Sequence, residues 1–396
     1  MVTRKAIFPH RWRWALVASM PLAVSAWGVA LGQSRQRPSH SAAEQPTQES
    51  SAQAEKELQA GIALSRDGRF AEAIPHFLAA RGRVSEQYAA EFNLALSYAA
   101  IGEFQKAIPI LIGLRNGGHE NAGVENLLSQ AYAGNGQANE ALEAFQKAAQ
   151  FTPKDEKLYL LVAATFLERQ DFAHGLGIVE SGLRELPDSA KLRYELGYVL
   201  WQLDEPVMAK PEFERATSLA PNSAIGHLAA AQENCMLGNL AEATQIVRTA
   251  IREGVADYRL LALLGDALLQ AGANPGQPEF SEAKEALENS IGEHPRYSSS
   301  QIALGRLLLE EGRVDEAVEH LELGRQLAPQ NPSPYKLLAT AYRKRGQLEQ
   351  ARAMLAMVAK LNEEQAQKRR SDFNKAALTV LRTGCLVWKD GSPQPS

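Results

Sequence analysis

Tyr194, Tyr198 and Trp201 stand four and three residues apart, so a helix would carry all three on one face. Flat rings with polar tips give a partner rigid contact area; by themselves they make and break no bond. The residue sets that would do so are absent. There is no glycine loop ending in Gly-Lys-Ser/Thr to cradle phosphate, no GxGxxG after a strand, no HExxH, no GxSxG elbow and no calcium loop of alternating carboxylates. The eight histidines are scattered, and the two cysteines, Cys235 and Cys385, lie too far apart for a CxxC redox or zinc site. The chain is therefore expected to be no enzyme and to need neither metal nor cofactor.

With 42 basic and 46 acidic side chains the net charge is −4, the wrong sign for a protein that neutralises phosphates, and nucleic acid is not an expected partner. Hydrophobic residues make up 45% of the chain, and Ala, Leu, Glu and Gln dominate its middle, which favours helix. Arg4, Lys5, Arg11 and Arg13 precede an apolar stretch over residues 14–31, interrupted only by small residues and Pro21. Residues 1–32 read as an export signal. Val24 and Ala26, or Ala30 and Gly32, suit a signal peptidase, while the stretch is nearly long enough to span a bilayer uncut. A periplasmic or secreted protein and a membrane-tethered one both stay open. Residues 33–53 turn to Ser, Gln, Glu, Pro and Ala without an apolar period and are expected to be a disordered linker.

From residue 54 onward the chain repeats itself. In the segment starting at Ala122, counted as position 1, Leu128, Ser129, Tyr132, Gly136, Ala141, Phe145, Ala148 and Pro153 fall at positions 7, 8, 11, 15, 20, 24, 27 and 32. Copies start near residues 54, 88, 122, 156, 190, 224 and 258, a step of 34, and after six extra residues resume at 298 and 332, giving nine repeats over residues 54–362. Small residues at positions 8 and 20 let two helices approach, and larger ones at 7, 11 and 24 fill the space beside them. Gly68, Gly102, Gly136, Gly238, Gly272, Gly312 and Gly346 share position 15, where a helix can end in a left-handed residue. The fourth copy departs, with Gln170 at the turn and Gly175 and Gly182 where Ala is usual, and is expected to be the least stable. Residues 363–388 read as a capping helix and tail, with Phe373, Ala377 and Leu381 spaced to face the last repeat.

This period and this alternation of small and large residues resemble the tetratricopeptide repeat, whose unit is a pair of antiparallel helices. The resemblance implies an all-α solenoid in which the first helix of each pair lines a concave inner wall, chiefly through positions 2, 5, 9, 12 and 13. Those positions hold Tyr194, Tyr198 and Trp201 in the fifth copy, Leu160 and Leu167 in the fourth, and Leu228, Cys235 and Met236 in the sixth. Further along they hold Arg306, Lys336, Arg343 and Lys344, suited to an acidic stretch of partner. The expected function is a non-catalytic scaffold that binds a protein or peptide segment outside the cytoplasm, the alternative being a polysaccharide-binding or export component whose aromatics stack on sugar rings. A third use of the stripe, packing within the solenoid itself, has the same spacing.

The register predicts that Ala141→Leu or Gly197→Leu costs about 1–3 kcal/mol by overpacking. A thermal melt followed by circular dichroism checks it, and an unchanged melting curve would exclude this register.

Overall fold

The computed structural model describes residues 48–383, with side chains over residues 50–367. The stretch expected as an export signal, most of the expected linker, and the tail with Cys385 lie outside the described residues. Among those residues the chain is all helix, eighteen α-helices and one short π-helical turn. They run as antiparallel pairs: α1 (Gln48–Arg66) with α2 (Phe70–Ala80), α3 (Gln87–Ala100) with α4 (Phe104–Leu114), α5 (Ala122–Gly134) with α6 (Ala138–Phe151), and α7 (Glu156–Glu168) followed by α8 (Phe172–Glu185). The series continues with α9 (Ala190–Gln202) and α10 (Pro206–Leu219), α11 (Ala224–Met236) and α12 (Leu240–Arg252), α13 (Tyr258–Gln270) and α14 (Pro278–Glu293). It ends with α15 (Ser298–Glu310) and α16 (Val314–Leu327), then α17 (Pro332–Lys344) and α18 (Leu348–Thr383). The chain divides into two compact units, residues 1–158 and residues 159–396, each described by itself.

In the first, fifth, seventh and eighth pairs positions 8 and 24 meet and close the pair. A Cβ added to Gly61 would lie 2.7 Å from the Phe77 ring; at Gly197 it would lie 2.9 Å from Phe213, at Gly265 2.4 Å from Leu287, and at Gly305 2.5 Å from Leu321. No side chain fits there without the larger neighbour moving. In the third pair Ser129 takes the small position and donates its hydroxyl to the Ala141 carbonyl at 2.8 Å, so its polar atom is satisfied where it is wholly buried. In the fourth pair Ala163 holds position 8, and two glycines of the second helix make further room. Gly175 gives way to Leu167, and Gly182 gives way to Tyr159 and Leu192.

In the first unit, α4 runs into the π-helical turn Arg115–His119, whose left-handed Gly118 breaks the helix. Arg115 there donates two hydrogen bonds, at 2.6 and 2.7 Å, to the fully buried carboxylate of Glu125 on α5. A buried charge is tolerated because its bidentate partner is present.

Two boundaries differ from the sequence reading. Helix α1 begins at Gln48, inside the stretch expected as linker, because burial of Ala54 and Leu58 nucleates a helix that the preceding Gln, Glu and Ala residues extend. Helix α18 runs unbroken for 36 residues, so the expected capping helix is a continuation of the ninth repeat's second helix. No Gly or Pro interrupts it before Gly384. The six extra residues of the seventh repeat lengthen the turn before α14, where Gly272 and Gly276 are left-handed and Ala273 is buried, and lengthen α14 itself to 16 residues.

The turns between paired helices repeat one device. The position-15 glycines have φ of 74–93°, and in the third copy the amides of Gly136 and Gln137 return to the carbonyls of Ala133 and Tyr132. In the fourth and fifth copies Gln170 (φ 57°) and Asp204 (φ 67°) take that conformation with a side chain attached. Relieving this strain by Gln170→Gly is expected to stabilise the second unit by about 1 kcal/mol. The midpoint of its denaturant unfolding reports the change, and a lower midpoint would refute it.

Candidate functional site

The first helices of successive repeats in the second unit pack on one another, α9 on α11, α11 on α13, α13 on α15 and α15 on α17. They form a wall. Ser189, Ser223 and Asp257 start three of these helices by accepting hydrogen bonds from backbone amides of the first turn. Each helix therefore begins at a defined residue, and the same positions recur side by side along the wall.

The predicted aromatic stripe separates into two parts. Tyr194 is 6% exposed and belongs to the core, stacked 6.3 Å from Tyr198 and tilted 5.9 Å from Phe213. Tyr198, Trp201 and Met236 stay half-buried against that core, with Trp201 edge-on to Tyr198 at 6.2 Å. Leu228 is 1% exposed and leaves the candidate site. On α11, Ile225 and Gln232 are buried with it, so this stretch of the helix is the floor of the wall, while its last turn, with Cys235 and Met236, stays half-buried. Leu160 is half-buried, and Leu167 turns inward to fill the room left by Gly175.

An ion pair crosses that floor. The Arg259 guanidinium, from α13, lies 3.5 Å from the Glu195 carboxylate on α9 and 3.2 Å from Asp257. It also sits 5.7 Å from the Tyr194 ring centroid and 6.0 Å from that of Tyr258. Tyr258 in turn stacks on His294 at 4.6 Å and meets Tyr297 edge-on at 5.1 Å. Helix α11 lies between α9 and α13, so the bridge spans it and covers the Tyr194 face. That face is closed to a sugar ring.

The electrostatics of the wall follow from enclosure. Burial raises the Glu195 carboxyl above its ordinary range, and Arg259 only partly reverses it. Burial likewise raises Asp266 on α13, against the Gln270 hydrogen bond and the Arg306 charge. The Cys235 thiol is pushed up to about 12 by burial and by Asp266, which makes it a poor nucleophile. Glu168 keeps an exposed side chain, yet crowding by the surrounding protein lifts its pKa to about 7 against the pull of Arg296.

The basic end also divides. Arg306 donates to the Leu269 carbonyl at 3.2 Å and pairs with Glu310, and Lys344 donates to the Leu309 carbonyl at 2.7 Å. Each secures the carboxyl end of the preceding first helix. Lys336 and Arg343 are exposed. His76 and His320, at one repeat position, bond to Glu57 at 2.6 Å and to Gln301 at 2.7 Å and join the two helices of their pair. Among the described residues no cluster of His, Cys, Asp or Glu could hold a metal ion, and no helix is long and apolar enough to cross a membrane.

Between pH 4.5 and about 7 the folded chain keeps a proton on Glu168 that the unfolded chain has released, so this group lowers stability as pH rises through that window. Glu168→Gln is expected to flatten the fall, and denaturant titrations of both proteins at pH 4.5, 5.5, 6.5 and 7.5 compare the slopes. Parallel slopes would place the Glu168 carboxyl at its ordinary value.

Sequence models of the tetratricopeptide repeat match residues 58–112, 126–155, 190–223, 277–333 and 308–368, together more than half of the chain. No curated protein matches it by sequence. A chain of the APC/C hetero-tetramer Cut9–Hcn1 is similar at 14% identity and TM-score 0.45, over 78% of this chain and 64% of that one. This protein thus spans less than two thirds of that relative. A tetratricopeptide repeat protein from Parabacteroides merdae is similar at 18% identity and TM-score 0.44, over 64% of this chain and 98% of that one. A thermophilic repeat protein from Thermus thermophilus is similar at 21% identity and TM-score 0.39, over 48% and 100% of the respective chains. From the repeat period, the helix pairs and the matched segments together, the chain belongs to the tetratricopeptide-repeat family.

Proposed function

We propose that the protein is a non-catalytic scaffold that holds a segment of another protein along the first-helix wall of its second unit, outside the cytoplasm. The observation that carries this reading is that Tyr198, Trp201 and Met236 stay half-buried on the wall although the pair cores are already filled by residues such as Leu200 and Phe213. Rings held rigid by core packing and left open on one side are what a binding anchor requires. Exposed Lys336 and Arg343 extend the same wall with charges suited to acidic residues of the held segment. Placement outside the cytoplasm is supported by the basic cluster and apolar stretch of residues 1–32.

Because Tyr194 is core, the informative variant is Tyr198→Ala/Trp201→Ala. Cross-linking in the native host, followed by affinity capture of the full chain, is expected to yield envelope proteins with wild type. The double variant should lose them, with at least ~2 kcal/mol of binding gone and its circular dichroism unchanged. Capture of the same set by both proteins would move the function to another surface.

A further inference from the structure

The wall of the second unit already binds one cation, its own. The Arg259 guanidinium rests between aromatic rings and carboxylates, against Tyr194, Tyr258, Glu195 and Asp257. Next to it lies a second set of aromatic rings and a carboxylate, whose nearest base, Arg306, reaches Asp266 through its charge alone. Tyr198 and Trp201 from α9 and Asp266 from α13 are all half-buried on one wall, with Cys235 of α11 between them. Asp266 acts on both Tyr198 and Cys235 electrostatically, which places the three together. Its Oδ2 accepts from Gln270 at 2.7 Å, while Oδ1 accepts no hydrogen bond among the described residues. The neighbouring base, Arg306, is engaged with the Leu269 carbonyl and with Glu310.

We propose that this second set takes an arginine or lysine side chain of the held segment, its charge over the Tyr198 and Trp201 rings and its N–H groups on Asp266. This rests on the scaffold reading and names the chemistry of the partner. Three observations favour a cation over an apolar or acidic residue. The internal arginine shows the mode in the same wall. The base nearest Asp266, Arg306, is already engaged with the Leu269 carbonyl and Glu310, so an entering cation meets complementary charge at Asp266. Burial raises the Asp266 carboxyl against the Gln270 hydrogen bond and the Arg306 charge, and a cation at its second oxygen would relieve it.

The test uses the full chain and labelled decapeptide pools, randomised over neutral residues, with arginine, lysine, norleucine or glutamate fixed at the centre. Fluorescence anisotropy is expected to show the arginine and lysine pools binding about tenfold tighter than norleucine. Asp266→Asn should bring that ratio near one, and Asp266→Lys should turn the preference to the glutamate pool. Equal binding of all pools to wild type, lost in Tyr198→Ala/Trp201→Ala, would overturn the cation site and leave the scaffold reading standing. A cationic preference that survives Asp266→Asn would also overturn this site, and no binding by any pool would overturn both readings.

Discussion

Everything in this protein depends on two helices meeting where one of them has almost no side chain. Gly61, Gly197, Gly265 and Gly305 each face an aromatic or leucine side chain at a distance that a single extra carbon would violate. Such contact brings many atoms within dispersion range at once, which offsets the entropy that glycine loses when it is held in a helix. A pair so closed still has an apolar flank and can bury it only on the next pair, so repetition follows from the chemistry of one unit. The fourth pair shows that the constraint is on volume and not on residue identity. There Ala163 keeps position 8 small, while Gly175 and Gly182 make room for Leu167 and Tyr159.

Stacking of the pairs sets what the wall can offer. Because successive first helices pack together, each sends one row of side chains to the shared face, and residues two repeats apart come within reach of one another. Arg259 and Glu195 belong to the seventh and fifth repeats and yet form an ion pair over the sixth. The floor beneath is built of residues that the bridge and its neighbours keep from solvent, Ile225, Leu228 and Gln232. An enclosed ion pair of this kind adds little net stability, since desolvation opposes the attraction, but it fixes geometry. Here it holds the Tyr194 ring, on which the Tyr198 ring stacks.

The same enclosure explains why the wall is electrostatically unusual in a chain with an ordinary composition. Acidic residues on second helices are paired at the surface, as Glu282 on α14 is with Arg248 and Glu316 on α16 with Arg313, and these carboxyls fall below the usual range. Glu195 and Asp266 move the opposite way because protein replaces water around them faster than positive charge is supplied. Cys235, the one described cysteine, is quietened by the same surroundings.

Much of the fold was legible in the linear order of residues, because a solenoid is built from local contacts. The period, the helix pairs, the left-handed turn at position 15 and the small-against-large grammar all involve residues within about one repeat, and sequence spacing measures such distances directly. The shared face of Tyr198 and Trp201 was legible for the same reason, since their spacing alone places them together on a helix. What no spacing could decide was which wall residues stay open. Leu228 sinks under its neighbours, Tyr194 is covered by Arg259, and Arg306 and Lys344 are taken up by helix ends. Arg259 and Asp266 occupied the expected positions 2 and 9 but carried no mark in the sequence, and Glu195 and Tyr297 lay off the pattern. Their roles depend on approach between helices 30 or more residues apart, a distance that only the packed repeats determine.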